Sequence, residues 1–135
     1  MSALYGQNGK AEFPFISKYK NLRDVLTDYE LATLGDAYVN FVYSLALSKR
    51  LNKPTGKKVA SRFLANALRM ANLRELLPSR VDRHRQADAA EALIIYAWIK
   101  GIITIEECDT ILEKEIQPDE GFSMLLKTIL RRVKF

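Results

Sequence analysis

Apolar positions recur along this chain at spacings of three and four residues, and no strict alternation runs long enough for a strand. The expected fold class is all-α, with about six or seven helices. A short helix is expected over residues 21–25. Thr27 and Glu30 then match a T-x-x-E capping box, which would start a long helix ending near Leu51. Pro54 and Gly56 in "NKPTGKK" break the chain. A third helix is expected over 58–71, and "LRELL" is able to extend it before Pro78. The next spans 82–100 and stops at Gly101. Thr104 and Glu107 form a second capping box for a helix to about Glu115, and Pro118 suits the first turn of a last helix ending near Val133. Residues 1–13 read as loop or arm. At 135 residues this is one domain, divided as an arm over 1–17 and a helical domain over 18–135.

Three carboxylates interrupt the pattern. The long helix has an apolar stripe at Leu31, Leu34, Tyr38, Phe41 and Leu45. At 100° per residue Asp36 falls roughly opposite, among Ala32, Val39, Tyr43 and Leu47. A helix apolar on both sides is buried on both sides, where an ionised aspartate is costly unless it is paired or binds a cation. The alternative is a turn at Gly35-Asp36 with Asp36 as N-cap, although Thr27 and Glu30 offer an earlier start. Asp88 and Glu91 sit in "DAAE", itself an acceptable capping box. If the helix instead begins near Asp82, then His84, Asp88, Glu91 and Ile95 share one face. Spacing alone leaves both readings open. Carboxylates brought together repel, and a hard cation such as Mg²⁺ relieves them while keeping several waters. Such a site in a basic protein is suited to metal-assisted cleavage of a phosphodiester.

The charge balance is compatible with a polyanion partner: formal net charge is +5, with a pI near 9.4. No acid lies between Lys49 and Arg62, while acids gather at 106–120. The candidate phosphate contacts are Lys53, Lys57, Lys58, Arg62, Arg83 and Arg85; a solvated basic face is the equal alternative. A single cysteine, Cys108, suits a reducing compartment, and no run of 18 apolar residues would span a membrane. The first residues lack a basic start and an apolar signal core, so the expected location is the cytoplasm. His84 reads more readily as a surface residue than as a phosphate contact. Trp98 and Tyr96 read as core or dimer contacts. No P-loop, zinc spacing or nucleophilic triad is present.

"LGDAYVNF" at 34–41 resembles the signature helix of the ribonuclease III catalytic domain, and "DAAEALIIYAWI" at 88–99 is similar to that family's second acidic motif. The resemblance covers roughly residues 18–133. It implies an all-helical endonuclease domain, a homodimer, Mg²⁺ or Mn²⁺ as cofactor, and cleavage of double-stranded or structured RNA. Residue by residue, Asp36, Asp88 and Glu91 match the catalytic, metal-binding carboxylates. Two positions depart from the pattern. Ala32 stands where the family usually has a glutamate one turn before the signature aspartate, and Asn66 matches a position that often carries another acid. The missing glutamate is similar to the mini-ribonuclease III branch, the single-domain type without a double-stranded-RNA-binding domain. A-form RNA is read mostly by shape and 2′-hydroxyls, so little base specificity is expected. The rival expectation is a non-catalytic RNA-binding or scaffold protein on the same fold.

Overall fold

In the computed structural model, which describes residues 12–135, the domain is all-helical. Six α-helices lie wholly within the described residues: α1 (Leu22–Leu26), α2 (Tyr29–Leu51), α3 (Ser61–Met70), α4 (Arg83–Ile99), α5 (Ile105–Lys114) and α6 (Pro118–Arg132). Short 3₁₀ turns cover Pro14–Lys18 and Arg74–Leu76. The first of these turns buries Ile16 in the core, and residues 1–11 of the expected arm lie outside the described residues.

Helix α4 is the central pillar. From Ala89 to Ala97 every residue is buried, Glu91 included. A helix apolar all round can only be covered all round, and α1, α2, α3 and α6 pack against it. Its alanines at 87, 89, 90, 92 and 97 let those neighbours come close. From the far side α6 adds Phe122, Leu125, Leu126 and Ile129, all fully buried, and α5 adds Cys108 and Leu112.

Most boundaries follow their local chemistry. Asn52 ends α2 and Gly101 follows α4, both in the left-handed region, at φ 54° and 75°. The capping box at Thr104 and Glu107 is formed, and Pro118 opens α6. Asn21 caps α1 through its side chain, which accepts from Asp24 N at 2.9 Å.

Three expectations need correction. The cap of α2 is Asp28, whose Oδ1 accepts from Glu30 N at 3.0 Å and Leu31 N at 3.2 Å. Thr27 belongs to the end of α1, where its hydroxyl donates to Arg23 O. Aspartate is the stronger cap, and Tyr19 fixes it by donating to Oδ2 at 2.6 Å. Helix α3 begins at Ser61, because Val59 N is held by Asn40 Oδ1 at 2.7 Å and the preceding segment runs along α2. It also ends at Met70: Asn72, at φ 62°, turns the chain before the second 3₁₀ turn. The third correction concerns which face of α2 is inside. Leu31, Ala32, Gly35, Val39, Val42 and Ala46 are buried, whereas Leu34 and Phe41 of the expected stripe are 43% and 55% exposed. Small residues win the inward face because α2 lies so close to α4.

Candidate active site

Gly35 sets that closeness. A Cβ at this position would stand 2.6 Å from the carbonyl carbon of Glu91 and nearer still to its oxygen, so only glycine fits. The crossing of α2 and α4 is therefore pinned between Gly35 and Glu91. It brings the next side chain of α2, Asp36, against the carboxyl of Glu91. Both face a cleft of about 560 Å³, whose lining also includes Ala32, Lys58, Leu64, His84 and Asp88.

The cleft treats its three acids differently. Asp36 is only partly buried; burial pushes its carboxyl up, but hydrogen bonds from Glu91, Lys58 and Asn40, with the lysine charge, outweigh that and leave it below its ordinary value. Lys58 Nζ lies 3.2 and 3.4 Å from the two Asp36 oxygens, and Asn40 Nδ2 donates to Oδ1 at 3.1 Å. Glu91 is 6% exposed. Burial first, then the hydrogen bond to Asp36 and the charges of Asp36 and Asp88, push it up to about 9 against the smaller opposing effect of Lys58. At neutral pH Glu91 thus holds a proton and donates it to ionised Asp36. Asp88 is raised by burial and by Asp82 and Asp36, opposed by Arg85 and His84, and acts on the pair through its charge.

Asp36 is in mid-helix and Asp82 caps α4, accepting from Arg85 N at 2.9 Å, so neither Asp36 nor Asp88 is a cap. All three acids do meet at one cleft. They stop short of a preformed cage: among the described residues no three His, Cys, Asp or Glu side chains converge as a metal-holding group. The donor chemistry nonetheless fits a hard cation. A buried carboxyl in hydrogen-bond contact with a second carboxylate stays protonated for want of positive charge, and oxygen ligands on an open cleft suit an ion that keeps most of its waters.

The basic candidates are spread out. Lys58 is in the cleft, and the Arg85 guanidinium lies 3.4 Å from the centroid of the Tyr29 ring, over a neighbouring pocket that Asp88 also lines. Lys57, Arg62 and Arg83 are exposed, with Arg62 over Phe63 at 4.8 Å. Lys53 lines a separate groove with Lys49 and Asp109. His84 is exposed and lines the cleft. Asn66 lies outside the cleft lining; it accepts from Arg69 and donates to Asp119 at 3.4 Å. Trp98 stacks at a tilt on Tyr38, and Tyr96 is buried edge-on to Tyr19. Sequence reasoning missed Asn40, which joins Asp36 to the segment before α3. Its signal was the four-residue spacing from Asp36, which puts the two on one face.

The helical domain thus brings three acids, Asp36, Asp88 and Glu91, and one lysine, Lys58, to a single cleft. The family model described as Ribonuclease III matches residues 29–132, and the chain belongs to the ribonuclease III family. No curated protein matches it significantly.

Proposed function

We propose that this protein is a metal-dependent endoribonuclease that cuts structured or double-stranded RNA, works as a homodimer and resides in the cytoplasm. The observation that carries the reading is the meeting of Asp36 with Glu91 across the Gly35 contact, in a cleft that Asp88 also lines. A divalent cation, Mg²⁺ or Mn²⁺, would supply an activated water and offset charge building on the phosphate. Asp36, Glu91 and Asp88 are the residues that would hold it. Glu91 must then give up its proton, and the open side of the cleft lets that proton leave to solvent. Asn40 keeps the Asp36 carboxylate turned into the cleft. The family membership supports RNA as the substrate class.

Lys53, Lys57, Lys58, Arg62, Arg83 and Arg85 would hold the phosphate backbone. Contacts of this kind give affinity that falls with salt and depends little on sequence. The exposed Leu34 and Phe41 on the outer face of α2 supply apolar surface for a second subunit. No helix among the described residues is long and apolar enough to cross a membrane.

One observation favours a second reading. Lys58 already compensates Asp36, and Ala32 offers no extra ligand, as in a scaffold that binds RNA without cutting it. Incubation of the purified protein with a long RNA duplex and Mg²⁺, beside Asp36→Asn, separates the two. Cleavage by wild type alone supports the enzyme; a duplex bound and left intact by both supports the scaffold.

A further inference from the structure

Lys58 is held in its place by the backbone on either side of it. Before it, Lys57 N donates to Ser44 Oγ at 2.9 Å, and Ser44 Oγ donates to Lys57 O at 3.1 Å. After it, Val59 N donates to Asn40 Oδ1 at 2.7 Å, while the amide group of the same Asn40 donates to Asp36. The segment is thereby clasped to α2, and the Lys58 ammonium is delivered to both oxygens of Asp36. The side chain itself is 72% exposed, so it can leave for solvent without breaking the clasp.

We propose that Lys58 is a tethered counter-ion that competes with a divalent cation for Asp36 and so sets how tightly the cleft takes that cation. The inference rests on the metal-dependent reading above. An ammonium on both oxygens and a divalent ion on the same carboxylate repel, and the ammonium is the one with somewhere to go. Once displaced, it remains at the rim of the cleft with its charge free for a phosphate. Cation binding and RNA binding then assist each other, because each is eased by the lysine leaving Asp36. Lys57 has the same charge one position away, and its hydrogen bonds to Ser44 run through its backbone, which makes it the matched control.

The test is a titration with Mn²⁺ alone, without RNA, followed by calorimetry and by the paramagnetic resonance of the free ion. Wild type is compared with Lys58→Met, Lys58→Arg, Lys57→Met and Asp36→Asn, each checked for native helicity. Lys58→Met is expected to bind Mn²⁺ about tenfold more tightly than wild type, Lys57→Met within about twofold of it, and Lys58→Arg close to wild type. Equal affinities for Lys58→Met and Lys57→Met would reduce the effect to overall charge and overturn the proposal, leaving the metal centre intact. Binding that Asp36→Asn leaves unchanged, or no binding by any variant, would overturn the metal centre and the proposal with it.

Discussion

Two groups of acids in this molecule face opposite circumstances. On α5, Glu107 receives two hydrogen bonds from Arg132, at 2.8 and 3.0 Å, and Asp109 receives one from Lys49 at 2.8 Å. The Arg132 hydrogen bonds hold the Glu107 carboxyl below its ordinary value. In the cleft, by contrast, Lys58 pairs with Asp36 alone, and Glu91 is left protonated. The α5 acids are numerous and look more conspicuous in the sequence, yet Glu107, Asp109 and Glu113 each find a base across a helix contact. The cleft acids are few and face one another. Acids with partners fasten helices; acids without enough partners, in a cleft, are ready for a cation from outside. Glu107, Asp109 and Glu113 thus serve the packing of α5, whereas the sparse carboxylates in the apolar helices are the ones we propose hold the cation.

The largest expected difference between the groups is in activity. Asp36→Asn or Glu91→Gln should reduce cleavage of an RNA duplex by about 10²-fold or more, with helicity by circular dichroism retained. Glu107→Gln should leave the rate unchanged. Equal losses in both regions would erase the distinction.

Next in size is packing. Gly35→Ala drives a Cβ into the Glu91 backbone, which cannot yield without moving a helix. It should destabilise the protein by ~1–3 kcal/mol and lower cleavage by spreading Asp36 from Glu91. At Gly121, on α6, the added Cβ would meet a Leu112 methyl at 3.2 Å, which a side-chain adjustment relieves. Gly121→Ala should therefore cost less, and thermal melts of the two variants make the comparison. A larger loss at Gly121 would show that the α2–α4 contact is looser than described.

The two groups should also give opposite pH dependence. Glu91 titrates near 4.5 when unfolded and is raised to about 9 when folded. The unfolded chain therefore loses this proton first, and its contribution to stability falls as pH rises from about 4.5 toward about 9, by at most roughly 1.4 kcal/mol per pH unit. Glu107 is lowered, so its contribution is present above the ordinary value and is lost as pH falls through the folded one. In metal-free buffer Glu91→Gln should raise the melting temperature above pH 5 and flatten its slope. Asp36→Asn should bring no such gain, because it removes the partner of Lys58. A melting profile for Glu91→Gln parallel to wild type would mean that Glu91 is not protonated in the fold.

The smallest effect is expected at Ala32, which is buried and lines the cleft one turn before Asp36. Ala32→Glu should lower the Mg²⁺ concentration for half-maximal cleavage a fewfold, directly or through the water shell of the ion. Steady-state rates against Mg²⁺ read it. An unaltered metal response, with equal destabilisation with and without Mg²⁺, would place Ala32 in the core and not at the ion.

Helix number and most boundaries were legible from residue spacing, whereas spacing left Asp36, Asp88 and Glu91 open to capping roles and it was the resemblance of the two motifs that singled them out. The buried face of α2 was not. Hydropathy points to the large residues Leu34 and Phe41, but close helix approach is decided by what is small, and only the packed partner shows where that matters. The role of Asp28 was hidden by a good alternative cap one residue earlier. Lys58 was legible as a basic residue near RNA; that its ammonium rests on Asp36 depends on the clasp at Asn40, a contact across 19 residues. Asn66 looked equivalent to a site acid by position, yet its side chain joins Arg69 and Asp119.

Glu91 holds a proton at the place where we propose that a divalent cation binds. Calorimetric titration of Mg²⁺ at pH 7, repeated in buffers of different ionisation enthalpy, counts the protons released per ion. About one proton should leave wild type for each cation bound, and nearly none should leave Glu91→Gln. Binding with no proton release, or with the same release after Glu91→Gln, would contradict the account.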